Sequence, residues 1–400
     1  MQQRKMLGRR GTGMDRRTFL GTGAAALPLA CALKAAMLAR AQEQGIPGLI
    51  VRVAKPENLE FPYASLNSFL TPTKLFYVRT HFAIVNGVDV RTWRLKIEGQ
   101  IERPLELSYA DLLKMPSRTQ IAMLECAGNG RSFLVPKAEG VPWGLGGVSN
   151  AEWTGVPLAA VLDRAGLKSD AVEAVFEGAD SGETKGNIEE PKTPGKVSFA
   201  RSLPVEKARK DEVLLAYKMN GEDLTPAHGY PVRLLVPGWY GVASVKWLQR
   251  IIMTDRPFNG YFQTLAYAYF ERRNGLPTLV PTTENLVKAS VARPAMGEVI
   301  LAGADYRIHG AAWAGEWQVA KVQVSSDGGK TWEQARFLGK PVKYAWRLWE
   351  YTWRTPERAG RHVVMARATD ERGRTQPLER DRDRRNAIVN HVLPMEVEVR

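Results

Sequence analysis

One cysteine in the 400-residue chain is followed by residues that leave room for chemistry at its thiol. Cys126 ends a short apolar run, residues 121–124, and precedes Ala-Gly-Asn-Gly-Arg131. The run predicts a buried strand, and the small residues after it predict a tight turn. Glycines let backbone amides approach a bound group, and Arg131 adds a fixed positive charge. A thiolate beside a cation acts as a nucleophile or a metal ligand, although a lone cysteine is often only a small buried hydrophobe.

A second stretch of possible site residues precedes the cysteine. Residues 75–82 are apolar, aromatic and β-prone, and they contain Arg79 and His81. Because side chains alternate along a strand, we predict that Arg79 and His81 point the same way. A histidine in such a run is also compatible with a satisfied core residue.

A third stretch, after the cysteine, combines several basic and polar side chains. His228 and Arg233 bracket a turn and the start of a strand, and Ser244 and Lys246 are predicted to share one face of the next strand. One histidine, one arginine, one lysine and one serine close to glycines suit a phosphate or pyrophosphate group. A solvated basic face is the alternative.

The segments that must position these residues alternate between short strands and short helices. We predict strands at residues 93–99, 174–177 and 212–218, a capped helix after Ser108, and a helix over residues 158–165 that ends at Gly166. From residue 291 onward, short strands and glycine turns predict about seven strands in an immunoglobulin-like sandwich. The predicted fold is therefore an α+β domain followed by an all-β sandwich.

The charge distribution narrows the possible partners. The formal net charge is +14, but residues 1–41 hold eight Lys or Arg and one Asp. The remainder has 48 basic and 41 acidic residues, which leaves +7. The sequence has no block of Lys and Arg residues of the kind that predicts nucleic-acid binding. A mildly basic protein suits an anionic substrate or an acidic partner.

The N-terminus has the pattern of an export signal. Residues 15–20, Asp-Arg-Arg-Thr-Phe-Leu, match a twin-arginine motif, and a short Gly/Ala-rich run precedes a possible cleavage site at residues 39–41. We predict that residues 1–41 are removed on export to the periplasm, with no membrane span in the mature protein. Cys31 then leaves with the signal, and Cys126 is the only mature cysteine.

The motifs together resemble one enzyme family. Tyr77-Val-Arg-Thr-His81, Cys126-Ala-Gly-Asn-Gly-Arg131, Glu177-Gly-Ala-Asp180, His228-Gly-Tyr-Pro-Val-Arg233 and Ser244-Val-Lys246-Trp247 are similar, in order and approximate spacing, to motifs of the sulfite oxidase family of molybdenum enzymes. The resemblance covers nearly all of the mature chain. It implies a molybdopterin-binding catalytic domain over residues 42–285, an immunoglobulin-like dimerisation domain over residues 286–400, and a homodimer.

The resemblance also implies roles for individual residues. Cys126 would be the thiolate ligand of molybdenum, whose other sulfur ligands come from the dithiolene of molybdopterin. The residues that would hold the cofactor are Tyr77, Val78, Arg79, Thr80, His81, Asp180, His228, Arg233, Ser244, Val245 and Lys246. The substrate-binding and catalytic residues would be Arg79, Arg131, Tyr267 and, as a third arginine, Arg385. Arg384 is adjacent, and the sequence around Arg385 departs from the family pattern.

The implied reaction is the oxidation of sulfite, or a related small sulfur oxyanion, to sulfate by oxygen-atom transfer. The chain has no haem domain and no Cys-x-x-Cys-His motif, so electrons would pass to an external acceptor, most simply a c-type cytochrome. This resembles bacterial sulfite dehydrogenases and the sulfane dehydrogenase subunit of thiosulfate-oxidising systems. A sulfoxide-reducing relative shares the pterin motifs but lacks the sandwich.

Two interpretations do not involve molybdenum. Cys126 with His81 or His228 could form a cysteine hydrolase, since a thiol beside an imidazole is an activated nucleophile. The chain could also be an exported binding module built on the sandwich. Such a module would not need Cys126 for its function.

Overall fold

A computed structural model describes residues 48–400. The predicted signal, residues 1–41, and Cys31 lie outside the described residues. The strands up to residue 281 are β1 (Ile50–Val53), β2 (Asn58–Glu60), β3 (Val78–Arg79), β4 (Arg94–Gly99), β5 (Leu105–Ser108), β6 (Arg118–Glu125), β7 (Val148–Pro157), β8 (Glu173–Gly182), β9 (Val197–Pro204), β10 (Leu214–Met219), β11 (Glu222–Asp223), β12 (Arg233–Leu235), β13 (Leu248–Thr254), β14 (Ala268–Arg273) and β15 (Leu276–Pro281).

The α-helices of the described residues are short, and they all lie before residue 265. They are α1 (Tyr109–Lys114), α2 (Leu158–Ala165), α3 (Val205–Ala208) and α4 (Tyr261–Thr264), and single 3-10 turns occur at Tyr63–Ser65, Thr73–Leu75, Arg131–Phe133, Pro226–His228, Gly241–Ala243 and Arg382–Arg384. No helix within residues 48–400 is long and apolar enough to cross a bilayer.

An antiparallel sheet and a mixed sheet, in which β4 and β13 are parallel, form the N-terminal core. One has the strand order β11-β10-β7-β6, with β12 also paired to β10, and the other has the order β5-β4-β13-β8-β9. The amphipathic helix α2 buries Leu158, Val161 and Leu162 completely in the core. Its end at Gly166 is confirmed: this residue has φ +71° and its amide donates to the carbonyl of Leu162 at 2.9 Å.

The capped helix after Ser108 is also confirmed. The Ser108 hydroxyl accepts from the Asp111 amide at 3.1 Å, and the Asp111 carboxylate accepts from the Ser108 amide at 3.1 Å. This reciprocal pair is a capping box, which satisfies two amides that a helix start leaves without partners. It fixes the start of α1 beside β5.

The cysteine lies at the end of a buried strand, as predicted. β6 pairs antiparallel with β7, and the pairing runs from Arg118 opposite Gly155 to Glu125 opposite Val148. A tight turn follows, in which Gly130 has φ +96°. This left-handed conformation favours glycine, so the Gly-Asn-Gly sequence turns the chain directly after the cysteine that follows β6.

The predicted strand through Ser244 and Lys246 is wrong. The structure has a 3-10 turn at Gly241–Ala243, and β13 begins only at Leu248. Trp247 has φ +49°, a left-handed conformation that breaks the alternation of a strand. The tryptophan is held there because its indole donates to the Pro226 carbonyl at 2.9 Å. Ser244 and Lys246 therefore face the same cavity from a turn.

The C-terminal part is all-β. Its strands are β16 (Lys288–Arg293), β17 (Val299–Ile300), β18 (Asp305–Trp313), β19 (Val319–Ser325), β20 (Glu333–Gln334), β21 (Arg336–Leu338), β22 (Arg347–Arg354), β23 (Gly360–Asp370) and β24 (Met395–Val399). They form two sheets with the orders β16-β18-β22-β21 and β17-β24-β23-β19-β20. Side chains of both sheets, among them Ile308, Val322, Trp349 and Val364, share one core. This is the predicted sandwich, with short edge strands beyond the seven predicted.

Candidate active site

A cavity opens where the turn before β12, the turn before β13 and the end of β6 meet. It encloses about 620 Å³ of space free of protein atoms, its open mouth included. The residues singled out from the sequence that line it are Tyr77, Arg79, Thr80, His81, Cys126, Asp180, His228, Arg233, Ser244, Lys246 and Tyr267. These positions are scattered over most of the N-terminal part of the chain, and the fold brings them to one place.

Val78 and Val245 are close to the cavity but do not line it. Val78 is buried and lies opposite Leu59 in the β2–β3 pairing. Val245 is fully buried, and its carbonyl accepts from the Leu234 amide at 2.8 Å. This bond fastens the turn before β13 to β12. Contacts of these two residues with the cofactor stay predictions.

The thiol of Cys126 lies in the cavity wall. The Cys126 amide donates to the Gly147 carbonyl at 2.8 Å, and the Cys126 carbonyl accepts from the Asn129 amide at 2.8 Å. Residues 48–400 contain no group of three or more His, Cys, Asp or Glu side chains that could hold a metal ion.

Buried cations dominate the inner part of the cavity. Burial lowers the pKa of Arg233 to about 10 and lowers the pKa of Lys246 well below its usual value, the latter also because Arg233 is close. Arg233 donates to the carbonyls of His228 at 3.1 Å and Ser244 at 3.0 Å. Lys246 Nζ donates to the Ala227 carbonyl at 2.8 Å. Two basic side chains in the same cavity as the thiol fit a phosphate-bearing group, which would supply the missing negative charge.

Burial also changes the pKa values of two further side chains in the inner part of the cavity, His228 and Asp180. Burial, with Lys246 and Arg233 nearby, lowers the pKa of His228 to about 3. Burial raises the pKa of Asp180 to about 6, against the opposing effect of Lys246. The Asp180 Oδ1 atom is buried with no hydrogen-bond partner among the described residues. Because such an orphan acceptor costs roughly 1–3 kcal/mol, a cofactor with N–H donors fits this site.

The outer part of the cavity holds a tyrosine between a histidine and an arginine. Tyr267 Oη lies 2.6 Å from His81 Nε2 and accepts from Arg79 Nη2 at 3.1 Å. His81 is stacked on Phe199 with ring centroids 4.5 Å apart. Burial and Arg79 lower the pKa of His81 well below its usual value, and burial raises the pKa of Tyr267. The neutral imidazole and the protonated phenol therefore form a fixed donor–acceptor pair.

Arg131 reaches the site from the other side. It lines a second cavity, which adjoins the first and shares Arg79, His81 and Tyr267 with it. Its Nε donates to the Asn386 carbonyl at 2.7 Å, and its Nη1 donates to the Val141 carbonyl at 2.8 Å. The structure thus brings together Arg79, Arg131 and Tyr267, three of the four residues predicted to contact substrate.

Arg385 does not join them. Its guanidinium donates to the carbonyls of Leu265 at 3.0 Å, Ala268 at 2.9 Å and, by a shorter contact, Glu189. It lines neither cavity. The Arg385 guanidinium is thus occupied by backbone carbonyls, and its contact with substrate stays a prediction. The neighbouring Asn386 lines the second cavity instead.

The sequence analysis missed several polar residues of the second cavity, among them Glu190 and Asn386. Glu190 lies in a polar loop with no recognisable motif, and Asn386 lies next to the arginine that was chosen. Their side chains meet each other, although 196 positions separate them in the chain. Only the folded chain shows that they belong to the site.

The site combines the thiol of Cys126, the basic side chains of Arg233 and Lys246, and a separate pair formed by Arg79 and Tyr267. This combination is typical of proteins that bind a metal through an anionic organic cofactor. The sequence profile described as "Oxidoreductase molybdopterin binding domain" matches residues 81–262. The profile described as "Mo-co oxidoreductase dimerisation domain" matches residues 281–396. The chain belongs to the sulfite oxidase family of molybdopterin oxidoreductases.

Individual relatives agree with this assignment. Sulfite oxidase of Gallus gallus is 35% identical over 351 residues, which are 83% of this chain and 73% of that protein. Mitochondrial sulfite oxidase of Rattus norvegicus is 34% identical over 349 residues, 83% of this chain and 62% of that protein. The sulfane dehydrogenase SoxCD from Paracoccus pantotrophus has a similar structure, with a TM-score of 0.72, 29% identity, and coverage of 86% of this chain and 84% of that chain.

These findings confirm the predicted family, fold class and cofactor. The chain is a molybdenum oxidoreductase, and its cofactor is molybdenum–molybdopterin. The division into two domains at residues 285 and 286 stays a prediction, as do the roles of the individual site residues.

Proposed function

We propose that this protein is a sulfite dehydrogenase, which oxidises sulfite to sulfate at a molybdenum centre held by Cys126. The observation that carries the proposal is the position of the Cys126 thiol, which shares one cavity with Arg79 and Tyr267, next to Arg131. Electrons leave to an external acceptor such as a c-type cytochrome. The likeness to sulfite oxidases over 83% of the chain supports the choice of substrate.

The bound cofactor supplies oxygen-atom transfer and takes up two electrons. The protein contributes binding and orientation. Arg79 and Arg131 carry permanent charges on planar groups with several N–H donors, so they offset the cost of stripping water from a sulfur oxyanion. The Tyr267 phenol is held by His81 and Arg79 and can donate its proton to an oxygen of the substrate.

The inner cavity would hold the cofactor itself. Arg233 and Lys246 would bind its phosphate, and Asp180 would accept from its ring N–H groups. Cys126 would bind the metal, since a soft thiolate suits a metal that already has sulfur ligands. His228 stays neutral at physiological pH because of its low pKa, so it can accept a hydrogen bond as well as donate one.

Turnover with an external acceptor tests this proposal. The enzyme is produced in cells that assemble molybdopterin, and sulfite-dependent reduction of cytochrome c is measured for the wild type, Cys126→Ser and Arg131→Met. We expect Cys126→Ser to abolish turnover with little change in the circular-dichroism spectrum, and Arg131→Met to raise KM. Wild-type turnover by Cys126→Ser would overturn the proposal. A cysteine hydrolase would be labelled by thiol probes, whereas a ligated thiolate resists them.

A second candidate is the sulfane dehydrogenase subunit of a thiosulfate-oxidising system. It is favoured by the likeness to SoxCD, which extends over 86% of this chain. The purified chain distinguishes the two functions. A sulfite dehydrogenase turns over free sulfite without a second subunit, whereas a sulfane dehydrogenase subunit requires its partner and its sulfur-carrying substrate.

Export and assembly complete the proposal. The twin-arginine motif at residues 15–20 would direct the folded, cofactor-loaded protein to the periplasm, where a c-type cytochrome is available. The match to a dimerisation domain over residues 281–396 supports a homodimer. Fractionation of cells that express the full chain checks the location, since the periplasmic fraction should contain a shortened protein that begins near residue 42.

A further inference from the structure

The second cavity contains a carboxylate among its arginines. Among the described residues that line it, Arg79 and Arg131 are the permanent cations and Glu190 is the one acidic side chain. The formal charge of the lining is therefore +1 when Glu190 is ionised. If the lining contained the two arginines without this carboxylate, its formal charge would be +2, which matches a doubly charged oxyanion.

The position of Glu190 is built into the fold. Its loop joins β8 to β9, and the Asn187 side chain accepts from the amides of Glu189 at 2.8 Å and Glu190 at 2.9 Å. The Glu190 carbonyl accepts from the Asn187 amide at 2.7 Å. Tyr261 Oη donates to the Pro191 carbonyl at 2.7 Å, which fastens the loop to α4. The backbone on both sides of Glu190 is thus held in place.

The Glu190 side chain acts electrostatically on the substrate site. Asn386 Nδ2 donates to Glu190 Oε1 at 3.4 Å. Burial raises the pKa of Glu190, while Asn386 and the nearby Arg131, Arg385 and Arg79 act against this rise. In return, the Glu190 charge favours the charged forms of Arg79 and Arg131. The three guanidinium groups favour the charged form of this carboxylate, against the effect of its burial.

We propose that Glu190 is a specificity-determining residue, which makes the substrate cavity prefer a singly charged sulfur oxyanion, or the singly charged end of a larger sulfur compound, over a dianion. This inference rests on the proposed function, because it assigns the second cavity to the substrate. A single negative charge balances the lining, whereas a dianion leaves one charge without a counterpart. The preference favours bisulfite on entry and the release of the doubly charged product sulfate.

The size of the effect follows from Coulomb's law. At the effective dielectric constant of about 20 that suits protein sites, a charge about 12 Å from the ligand changes the binding of each additional ligand charge by roughly tenfold, which is the smallest effect expected of a charge that lines the same cavity. Glu190→Gln removes the charge and keeps the shape, and its amide oxygen can still accept from Asn386. Glu183→Gln is the matched control, because Glu183 belongs to the same loop but is exposed and does not line the cavity.

Calorimetric titration of the holoenzyme at one neutral pH tests the proposal with two tetrahedral anions, sulfate and methanesulfonate, which differ in charge. In Glu190→Gln we expect the Kd of sulfate to fall roughly tenfold relative to that of methanesulfonate. Glu183→Gln should leave the ratio of the two Kd values at its wild-type value. An unchanged ratio in Glu190→Gln, or an equal change in both variants, would overturn the role of Glu190.

Arg131→Met separates this outcome from a failure of the proposed function. Loss of binding of both anions in Arg131→Met would place the anion site in the second cavity and leave the ratio in Glu190→Gln as the test of Glu190 alone. Unaltered binding of both anions in Arg131→Met would contradict the assignment of the cavity to the substrate, and with it both proposals.

Discussion

The chemistry of the site depends on single side chains, and Arg131 is one of them. The Arg131 guanidinium has little free space around it. A Cβ atom at Gly128 would lie 2.6 Å from both terminal nitrogens of the Arg131 guanidinium, and one at Gly140 would lie 2.9 Å from its Nη1. Two glycines therefore leave open the space through which this arginine reaches the second cavity. Neither the charge nor the hydrogen bonds of Arg131 could reach the cavity in the same way if either position carried a side chain.

Gly128→Ala should accordingly move the Arg131 guanidinium out of this space. Because a hydrogen bond to a charged group contributes about 1.5–3 kcal/mol, we expect KM for sulfite to rise about tenfold to hundredfold. The free energy of unfolding should fall as well, by about 1.5–3 kcal/mol for each hydrogen bond that the guanidinium loses to the Asn386 and Val141 carbonyls. Gly360→Ala is the control, because the nearest atom to its new Cβ is 3.9 Å away. Steady-state kinetics check the prediction, and an unaltered KM in Gly128→Ala would contradict it.

A buried histidine makes the stability of the protein depend on pH. The pKa of His228 is lowered to about 3, whereas a histidine in an unfolded chain titrates at about 6.5. Between these values the unfolded state binds the additional proton, so stability is present above about pH 6.5 and is lost as the pH falls. Each pH unit in this range costs up to about 1.4 kcal/mol.

Urea unfolding of the cofactor-free protein at about pH 7 and about pH 5 measures this loss. We expect about 2 kcal/mol of the decrease to come from His228, so His228→Gln should lose that much less stability than the wild type over the same range. His362→Gln, in the sandwich, is the control for removal of a histidine. Equal losses in the wild type and in His228→Gln would contradict the assignment.

Among the elements, β6 is tied to the sandwich by a buried ion pair directly before the cysteine. Lys288 Nζ, at the start of β16, donates to Glu125 Oε1 at 2.9 Å and to the Asn129 carbonyl at 3.1 Å. Both charged side chains are about 2% exposed. The Glu125 carboxylate also accepts from the Trp313 indole at 2.8 Å. The strand that carries Cys126 is thus fixed by residues of the C-terminal domain.

Lys288→Met should leave the Glu125 charge buried without its counter-ion. We expect the free energy of unfolding to fall by about 3–5 kcal/mol, because removal of one partner of a buried pair is strongly destabilising. The double variant Glu125→Gln/Lys288→Met should be less destabilised, since no charge is left alone. Arg91→Met, which breaks an exposed pair with Asp89, should cost less than about 1 kcal/mol. Equal costs in Lys288→Met and Arg91→Met would show that the buried pair is unimportant.

Local sequence signals predicted the elements that local physics controls. The ends of α1 and α2 follow from a capping box at Ser108 and a left-handed glycine at Gly166, and both signals lie within a few residues of the helix. The strand through Ser244 was predicted wrongly because Trp247 adopts φ +49° to reach Pro226, a contact that no alternation pattern contains. Propensity describes such a segment as extended, and tertiary contacts decide otherwise.

The site residues also divide into those that local motifs identify and those that only the folded chain brings together. Cys126, Arg79 and His228 were found because they lie in motifs with recognisable spacing. Glu190 was missed because it becomes important only through Asn386, which is 196 positions away. Arg385 was chosen from its approximate position in the chain, and its guanidinium proved to be occupied by backbone carbonyls. Long-range pairings of this kind are properties of the folded chain.

Each cavity is lined by residues from many parts of one chain. Among the described residues, the lining of the two cavities extends from Val53 to Ala387. We therefore expect a homodimer whose dissociation leaves turnover per site unchanged. Sedimentation and sulfite oxidation, measured together over a dilution series, check this. Activity that disappears in step with the dimer would show that the second subunit completes the site.

X-ray absorption at the molybdenum edge tests the central claim most directly, because it counts the sulfur neighbours of the metal. The wild-type holoenzyme and Cys126→Ser are prepared in cells that assemble molybdopterin, and equal metal loading is verified by elemental analysis. The account predicts one sulfur neighbour fewer in Cys126→Ser than in the wild type. An identical number of sulfur neighbours in the two proteins would contradict it, since Cys126 would then not be bound to the metal.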